Sequence, residues 1–315
     1  MKIFLKRLIV FFLPFLVLYP LLEIKLSQVP NYYTQKKEYL ESQLSEIEIL
    51  STGSSHGDSI NPQFLSLRGF NISNDAEDIY YDVQVIEKYL DRMPNLKFII
   101  VPISYFSFEY RIDHSKSVWL APFYKLVWDI PPQEFISLLN FRYFSYTAAY
   151  GWSEVVSYIE NGFVSTNTKK LYSNGWWDRF HQGIVDSSEE ELIGWQRVLA
   201  AESTFMDAGA IESNLSLLSS LIETCQTHQI KIMLITTPVY HYYYEHLDAL
   251  KYQRMQDNLN KLVNKYYVPY YNFLKDPRFV AADFYNSDHL NTRGAEKFSK
   301  IIDEEIIEPL LALTQ

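Results

Sequence analysis

Ile47-Glu48-Ile49-Leu50-Ser51-Thr52-Gly53-Ser54-Ser55-His56-Gly57 is the stretch on which the reading of this chain turns. A β-branched, apolar run ends there without a gap in small residues and a serine pair. Apolar runs of this length bounded by turn residues read as buried strands. Small residues directly behind such a strand let the backbone turn sharply into a helix and leave amides unpaired, as a serine nucleophile needs.

Outward from this stretch the same rhythm repeats. Short apolar runs at Glu46 to Thr52, Gly69 to Ile72, Leu96 to Pro102, Ile230 to Thr236 and Val268 to Asn272 predict five strands. Amphipathic patterns at Asp75 to Met93, Ile211 to His228, Leu247 to Tyr266 and Thr292 to Ile307 predict helices between and after them, and Asn31 to Leu44 predicts a first polar helix. Strand and helix in alternation mean an α/β fold, a doubly wound parallel sheet of about five strands flanked by helices. Residues 106–206 break the rhythm. They are crowded with aromatics, including Trp119, Trp128, Trp152, Trp176 and Trp177, and hold Pro131-Pro132 without strand alternation. A mostly helical insertion into one domain covering 27–315 is the expectation.

Composition limits the partners. The chain has 315 residues, a formal charge of −10 and 48% hydrophobic content, enough for one large core. No Lys/Arg cluster exists to neutralise phosphates, so nucleic acid is not expected as a partner. With one cysteine, Cys225, no intrachain disulfide can form. The N-terminus opens with Lys2, Lys6 and Arg7 around an apolar stretch that runs from Leu8 to Leu22. No small-x-small cleavage site follows it, since Glu23-Ile24-Lys25-Leu26 is bulky. Residues 1–26 therefore read as an uncleaved signal anchor. The basic residues stay cytoplasmic, which places the main domain outside a bacterial inner membrane.

A serine nucleophile needs a base and a group to orient the base. The complement lies at Asp283-Phe284-Tyr285-Asn286-Ser287-Asp288-His289-Leu290-Asn291, just ahead of the last helix. His289 is the base candidate and Asp288 the orienting carboxylate, with Asp283 as the alternative. Ser54 and Ser55, directly behind Gly53, both meet the requirement for the nucleophile.

Gly53-Ser54-Ser55, together with Phe70-Asn71-Ile72-Ser73, Val101 to Phe106 and Asp288-His289-Leu290-Asn291, resembles the SGNH, or GDSL, hydrolases. The resemblance is to the branch anchored in bacterial envelopes, which includes the teichoic-acid D-alanyl transfer protein and the alginate O-acetyltransferases. Gly57-Asp58-Ser59-Ile60 is closer in letters to the Gly-Asp-Ser-Leu block, but only Gly53 follows its strand directly, so the resemblance makes Ser55 the nucleophile. It also implies an aspartate three residues before the histidine, where this chain has Asn286. The family's oxyanion glycine after the second strand is replaced by Ser73-Asn74-Asp75, which leaves Asn74 as a candidate donor. Its Gly-x-Asn-Asp block after the third strand is replaced by Ile103-Ser104-Tyr105.

Two other features complete the reading. Tyr240, His241 and Tyr242 follow the fourth strand and are candidates for an aromatic wall against sugar rings, with packing between insertion and sheet as the alternative. The His241 to His246 stretch lacks the spacing of a zinc motif, no phosphate-binding glycine loop occurs, and neither metal nor cofactor is expected. Together the residues and the resemblance imply an extracytoplasmic serine-dependent acyl-ester enzyme. It would add an acyl group, acetyl above all, to a cell-envelope or exported polysaccharide or remove one, with a membrane-bound acyl-donor protein as a possible partner. The alternative is a non-catalytic SGNH-fold scaffold of polysaccharide assembly or export.

Overall fold

The computed structural model describes residues 2–134, 139–164, 170–178, 180–181, 183–184, 187–205 and 207–313. In chain order the helices are α1 (Lys2–Ser27), α2 (Tyr32–Gln43), α3 (Ile79–Tyr89), α4 (Ala121–Trp128), α5 (Tyr146–Tyr150) and α6 (Trp152–Glu160). They continue with α7 (Ser188–Phe205), α8 (Ile211–Thr227), α9 (His241–Tyr244), α10 (Ala249–Tyr266), α11 (Thr292–Ile302) and α12 (Glu308–Ala312). The strands are β1 (Ile49–Ser51), β2 (Gly69–Asn71), β3 (Phe98–Pro102), β4 (Lys170–Leu171), β5 (Trp177–Asp178), β6 (Lys231–Thr236), β7 (Tyr270–Asn272), β8 (Phe284–Asn286) and β9 (His289–Leu290).

β1, β2, β3, β6 and β7 form the expected parallel sheet of five strands, in the order β2-β1-β3-β6-β7. The alternation of side chains along a strand divides its residues between two faces. Ile49, Phe98, Ile100, Met233 and Ile235 share one buried cluster with Phe298, Ile302, Ile306 and Ile307 from the C-terminal helices. The residues between them, Leu50, Ile99 and Leu234, are equally buried toward the other face, where α3, α8 and α10 pack side by side. A strand buried on both faces must be apolar along its whole length, which is why Phe98 to Pro102 shows no polar alternation.

The paired strands are shorter than the apolar runs that announce them. Glu46 lies in a turn, and the ladder of β1 begins at Ile49. Apolar sequence reports burial, whereas a ladder also needs a partner in register.

Two compact units make up the chain, Lys36–Val118 with Lys169–Gln315, and Met1–Gln35 with Trp119–Thr168. The first holds the sheet. The expected insertion is thus divided: its residues 119–168 form a unit with the N-terminal segment, and 106–118 and 169–206 belong to the sheet unit. Among the described residues of 106–206 helices prevail, with the two-residue strands β4 and β5 paired antiparallel.

In the second unit α1 packs on α5 and α6. Leu26 and Val29 are buried against Val155 and Tyr158. Tyr33 stacks on Phe123 at 5.3 Å. The Glu23 carboxylate accepts hydrogen bonds from the backbone N–H of Tyr146 (2.7 Å) and Thr147 (3.1 Å), which caps the N-terminus of α5.

Candidate active site

The strand order decides where a site can form. After β1 the chain passes to β2 on one side and then returns to β3 on the other, so β1 and β3 diverge at their carboxyl ends into a crevice. Gly53 to Ser55 leave β1 there, and Ile103-Ser104 leave β3.

Gly53 has φ +112, a conformation that a residue with Cβ rarely adopts, and a Cβ there would meet the Pro102 ring at 3.4 Å. The backbone is held in this turn from two sides. Its N–H donates to Asp82 Oδ1 at 2.8 Å, and its carbonyl accepts from the Asn74 N–H at 3.1 Å. Thr52 Oγ1 donates to the same Asp82 oxygen. Burial pushes the Asp82 carboxyl up to about 7 despite these bonds. Ser54 then caps a single 3₁₀ turn, Ser55–Ser59, whose first residue projects from the end of the strand.

The Gly57-Asp58-Ser59 block is structural. A Cβ on Gly57 would lie 2.5 Å from Ser73 Cβ and from the Thr52 carbonyl, so the turn closes against the β2 exit only with glycine. Asp58 Oδ1 accepts from Ser73 Oγ at 3.0 Å, and Ser59 is buried.

The histidine arrives on a hairpin. β8 and β9 pair antiparallel with an irregularity between Phe284 and Asn286, and this bulge turns Asn286, Asp288 and His289 toward one another. Ser55 Oγ lies 2.8 Å from His289 Nε2. On the far side of the ring, His289 Nδ1 is 3.1 Å from Asn286 Oδ1 and 3.3 Å from Asp288 Oδ1. Arg197 Nη2 also lies 3.2 Å from Nδ1, but that guanidinium is already engaged with Asp288, and with two acceptors against one donor the proton is assigned to Nδ1 and the Nε2 lone pair to the serine hydroxyl. Asn286 Oδ1 also accepts from the backbone N–H of His289 at 2.9 Å. An amide at this place therefore sets the ring's orientation, while the carboxylate beside it supplies the charge.

Three further residues complete the constellation. Arg197 of α7 grips Asp288 through both carboxylate oxygens, with Nη2 at 2.9 Å from Oδ2 and Nε bonded to Oδ1. His56 Nε2 lies 3.5 Å from Asp288 Oδ2, and His56 Nδ1 lies 2.8 Å from Ser104 Oγ. The result is a chain of five groups, Ser55–His289–Asp288–His56–Ser104, with Arg197 bound at its centre.

Burial would raise the Asp288 carboxyl, yet His289, Arg197 and His56 together hold it well below the usual carboxylate range. His289 is pushed down from 6.5 to about 4, chiefly by burial, with His56 and Arg197 working against its protonation and Asp288 working for it. With that imidazole neutral at neutral pH, the permanent cation that keeps Asp288 ionised is Arg197. The ligating atoms of His56, Asp288 and His289 fall within 4.8 Å of one another, as a metal would require. Here the guanidinium already satisfies the carboxylate, and each imidazole faces a serine hydroxyl, so the cluster reads as a hydrogen-bonded charge network.

The other candidates stand elsewhere. Asp283 does not approach His289: it is fully buried in ion pairs with Arg293 (3.1 Å) and Lys297 (2.8 Å), where it anchors the start of α11. Asn74 cannot offer an oxyanion donor, because its N–H serves the Gly53 carbonyl and its side-chain amide donates to Ile72 O (3.2 Å) and Glu77 Oε2 (3.3 Å). Tyr240 and Tyr242 form no substrate wall; they are buried in the cluster that holds Phe284 and Leu290, and His241 pairs with Glu245 at 3.4 Å. The aromatic surface at the site comes from Phe180, whose ring lies 5.2 Å from His289 and stacks on the half-exposed Tyr285 at 4.5 Å.

No family model matches the chain, and no curated protein matches it. Among solved structures, a Bacteroides fragilis protein provisionally named an acylhydrolase shares 10% identity at a TM-score of 0.42, over 87% of this chain and 96% of its own. A GDSL-like lipase from Bacteroides thetaiotaomicron shares 9% identity at a TM-score of 0.39, over 88% of this chain and 99% of its own. What the site does must therefore be read from its own atoms.

Arg197, His56 and Ser104 are absent from the sequence expectations. Arg197 is the single basic residue of α7, a helix with Glu189, Glu190 and Glu191 in its first turn. That isolation is the one local signal it gives.

Proposed function

We propose that the chain is a serine-dependent acyl-ester enzyme in which Ser55 is the nucleophile and His289 the base. The observation that carries this reading is the 2.8 Å contact between Ser55 Oγ and His289 Nε2, with the Asp288 carboxylate and the Asn286 amide oxygen on the far side of the ring. Ser55 Oγ attacks the ester carbonyl as His289 takes its proton. Asp288, kept ionised by Arg197, stabilises the imidazolium that forms. The imidazolium then protonates the departing alkoxide, and an acyl-serine remains. Water or a sugar hydroxyl, deprotonated by the same imidazole, attacks the acyl-serine, and the ester is hydrolysed or transferred. The Ser55 N–H heads the 3₁₀ turn, where no earlier carbonyl is placed to accept from it, and serves as the first oxyanion donor.

The acceptor we propose is a cell-envelope or exported polysaccharide, with acetyl as the group moved and a membrane-bound protein as acyl donor. The stacked Phe180 and Tyr285 beside His289 offer the flat, apolar faces on which sugar rings pack. α1 supports a membrane location: its Val10–Ser27 window is apolar, with mean hydropathy 1.7, and almost wholly exposed. On this reading α1 anchors the protein and the sheet unit faces away from the cytoplasm.

One observation favours a non-catalytic scaffold instead: every donor of Asn74 is already engaged, which leaves the oxyanion with fewer partners than such a serine usually has. A serine-reactive fluorophosphonate separates the two. The enzyme labels as wild type and fails to label as Ser55→Ala or His289→Ala. Absent labelling of wild type, or equal labelling of Ser55→Ala, ends the enzymatic reading.

A further inference from the structure

The unit built on α1 carries large apolar side chains that face outward beside the anchor itself. Leu139, Phe141, Phe144 and Trp152 are between 56 and 78% exposed; the first three lie in the segment that leads into α5, and Trp152 opens α6. A patch of this kind on a protein surface calls for a partner.

α1 identifies that partner. The helix is locked to α5 in one register: Tyr19 OH bonds to Ser145 Oγ at 2.8 Å, and Glu23 Oε2 accepts the Tyr146 N–H at 2.7 Å. Leu26 and Val29, at 0 and 1% exposure, are core residues of the same unit. An apolar helix crossing ~30 Å of hydrocarbon needs about 20 residues at ~1.5 Å each. The charge-free run from Leu8 to Leu22 falls short of that length and ends at Glu23, so all of it is needed and the far bilayer boundary falls at Tyr19 to Glu23. Ser145 is bonded at this level, and Phe144 precedes it in the chain. Aromatic side chains favour the headgroup layer, where their rings stay apolar and their edges meet water. Glu23 would emerge just beyond it, its carboxylate already satisfied by the N-terminus of α5.

We propose that Leu139, Phe141, Phe144 and Trp152 form a collar that sits in the interfacial layer of the bilayer entered by α1. The partner of this surface is lipid. α1 is then no loose tether: its last turns are part of a folded unit that rests on the membrane, and cleavage before Leu26 would strip that unit of its core. The inference rests on α1 being a membrane anchor and is independent of the chemistry at Ser55.

The test uses the full chain in phosphatidylcholine/phosphatidylglycerol vesicles, labelled at one introduced cysteine with an environment-sensitive nitrobenzoxadiazole dye. Cys225 does not compete, since it is buried and its thiol is pushed up to about 12 by burial. Labels go at Leu16→Cys within the anchor, Phe144→Cys in the collar and Leu250→Cys on the exposed face of α10. Lipids bearing a nitroxide near the headgroup should quench the labels at positions 16 and 144 and spare the label at 250. If position 16 is quenched and 144 behaves like 250, the collar faces water or a protein partner and the inference is overturned with the anchor intact. If position 16 is also spared, anchor and collar fail together.

Discussion

Two serine–histidine pairs share Asp288, and they differ chiefly in access. Ser55–His289 and Ser104–His56 each place a hydroxyl 2.8 Å from an imidazole nitrogen, and each imidazole turns its other nitrogen toward the same carboxylate. Ser55 heads an open turn and is partly exposed, whereas Ser104 is 5% exposed with its backbone N–H tied to Ser107 Oγ at 2.8 Å. Identical partners therefore do not make identical chemistry. The Ser55 half can meet a substrate, and the Ser104 half holds the carboxylate and its guanidinium in place.

The largest expected effect tests that difference directly. Ser55→Ala should lower kcat/KM on an activated acetyl ester by ~10⁴-fold or more, the scale of losing a nucleophile. Ser104→Ala should cost no more than about 10-fold, since one supporting hydrogen bond contributes about 1 kcal/mol. Equal losses in the two variants would make the halves equivalent and break the comparison. Next, Asp288→Asn removes the only negative charge shared by both histidines and should cost ~10³-fold in kcat/KM with little change in KM. Asn286→Ala should cost about 10-fold, because it loosens the ring without removing charge.

Arg197→Met leaves the Asp288 carboxylate buried and unpaired. Loss of a fully buried partner costs ~3–5 kcal/mol, and the partial exposure of Arg197 reduces the expectation to ~2–3 kcal/mol in urea unfolding. The double variant Arg197→Met/Asp288→Asn should recover part of that loss; recovery of none would mean that the ion pair is not the cause.

A pH profile sharpens the comparison further. On the proposed mechanism His289 acts only when neutral, so kcat/KM should fall as pH drops through about 4 rather than 6.5. Because the folded value lies below the unfolded one, the unfolded chain takes up the proton first, and this histidine's share of stability declines as pH falls from 6.5 to 4. An acid limb near 6.5 would show a solvated imidazole. The smallest effect belongs to His241→Ala, where loss of a largely exposed pair with Glu245 should change stability by less than ~1 kcal/mol and leave kcat/KM unchanged.

The two ends of the site were unequally legible. Gly53 to Ser55 stand out because a strand end, a required glycine and a serine fall in consecutive positions. His289 stands out because it completes that turn's chemistry. Sequence reasoning places Asp288 ahead of Asp283 but keeps both, since both are near the histidine in the chain. The bulge in the β8–β9 hairpin brings one carboxylate to the ring, and Arg293 and Lys297 hold the other at the start of α11. The tyrosines after β6 mislead for a related reason: the β6 exit aims their rings into the core, and composition carries no direction.

Local sequence determined the parallel sheet and the serine turn, because strand burial, backbone turn and nucleophile placement all depend on neighbours in the chain. It also marked the apolar N-terminal helix. Tertiary structure alone decided the rest of the network. Arg197 reaches Asp288 across 91 residues and Ser104 reaches His56 across 48, and such meetings arise only when separate elements pack at one crevice. A charge pattern spread over the whole chain has no period to read, and the isolation of Arg197 on α7 does not say which carboxylate it meets.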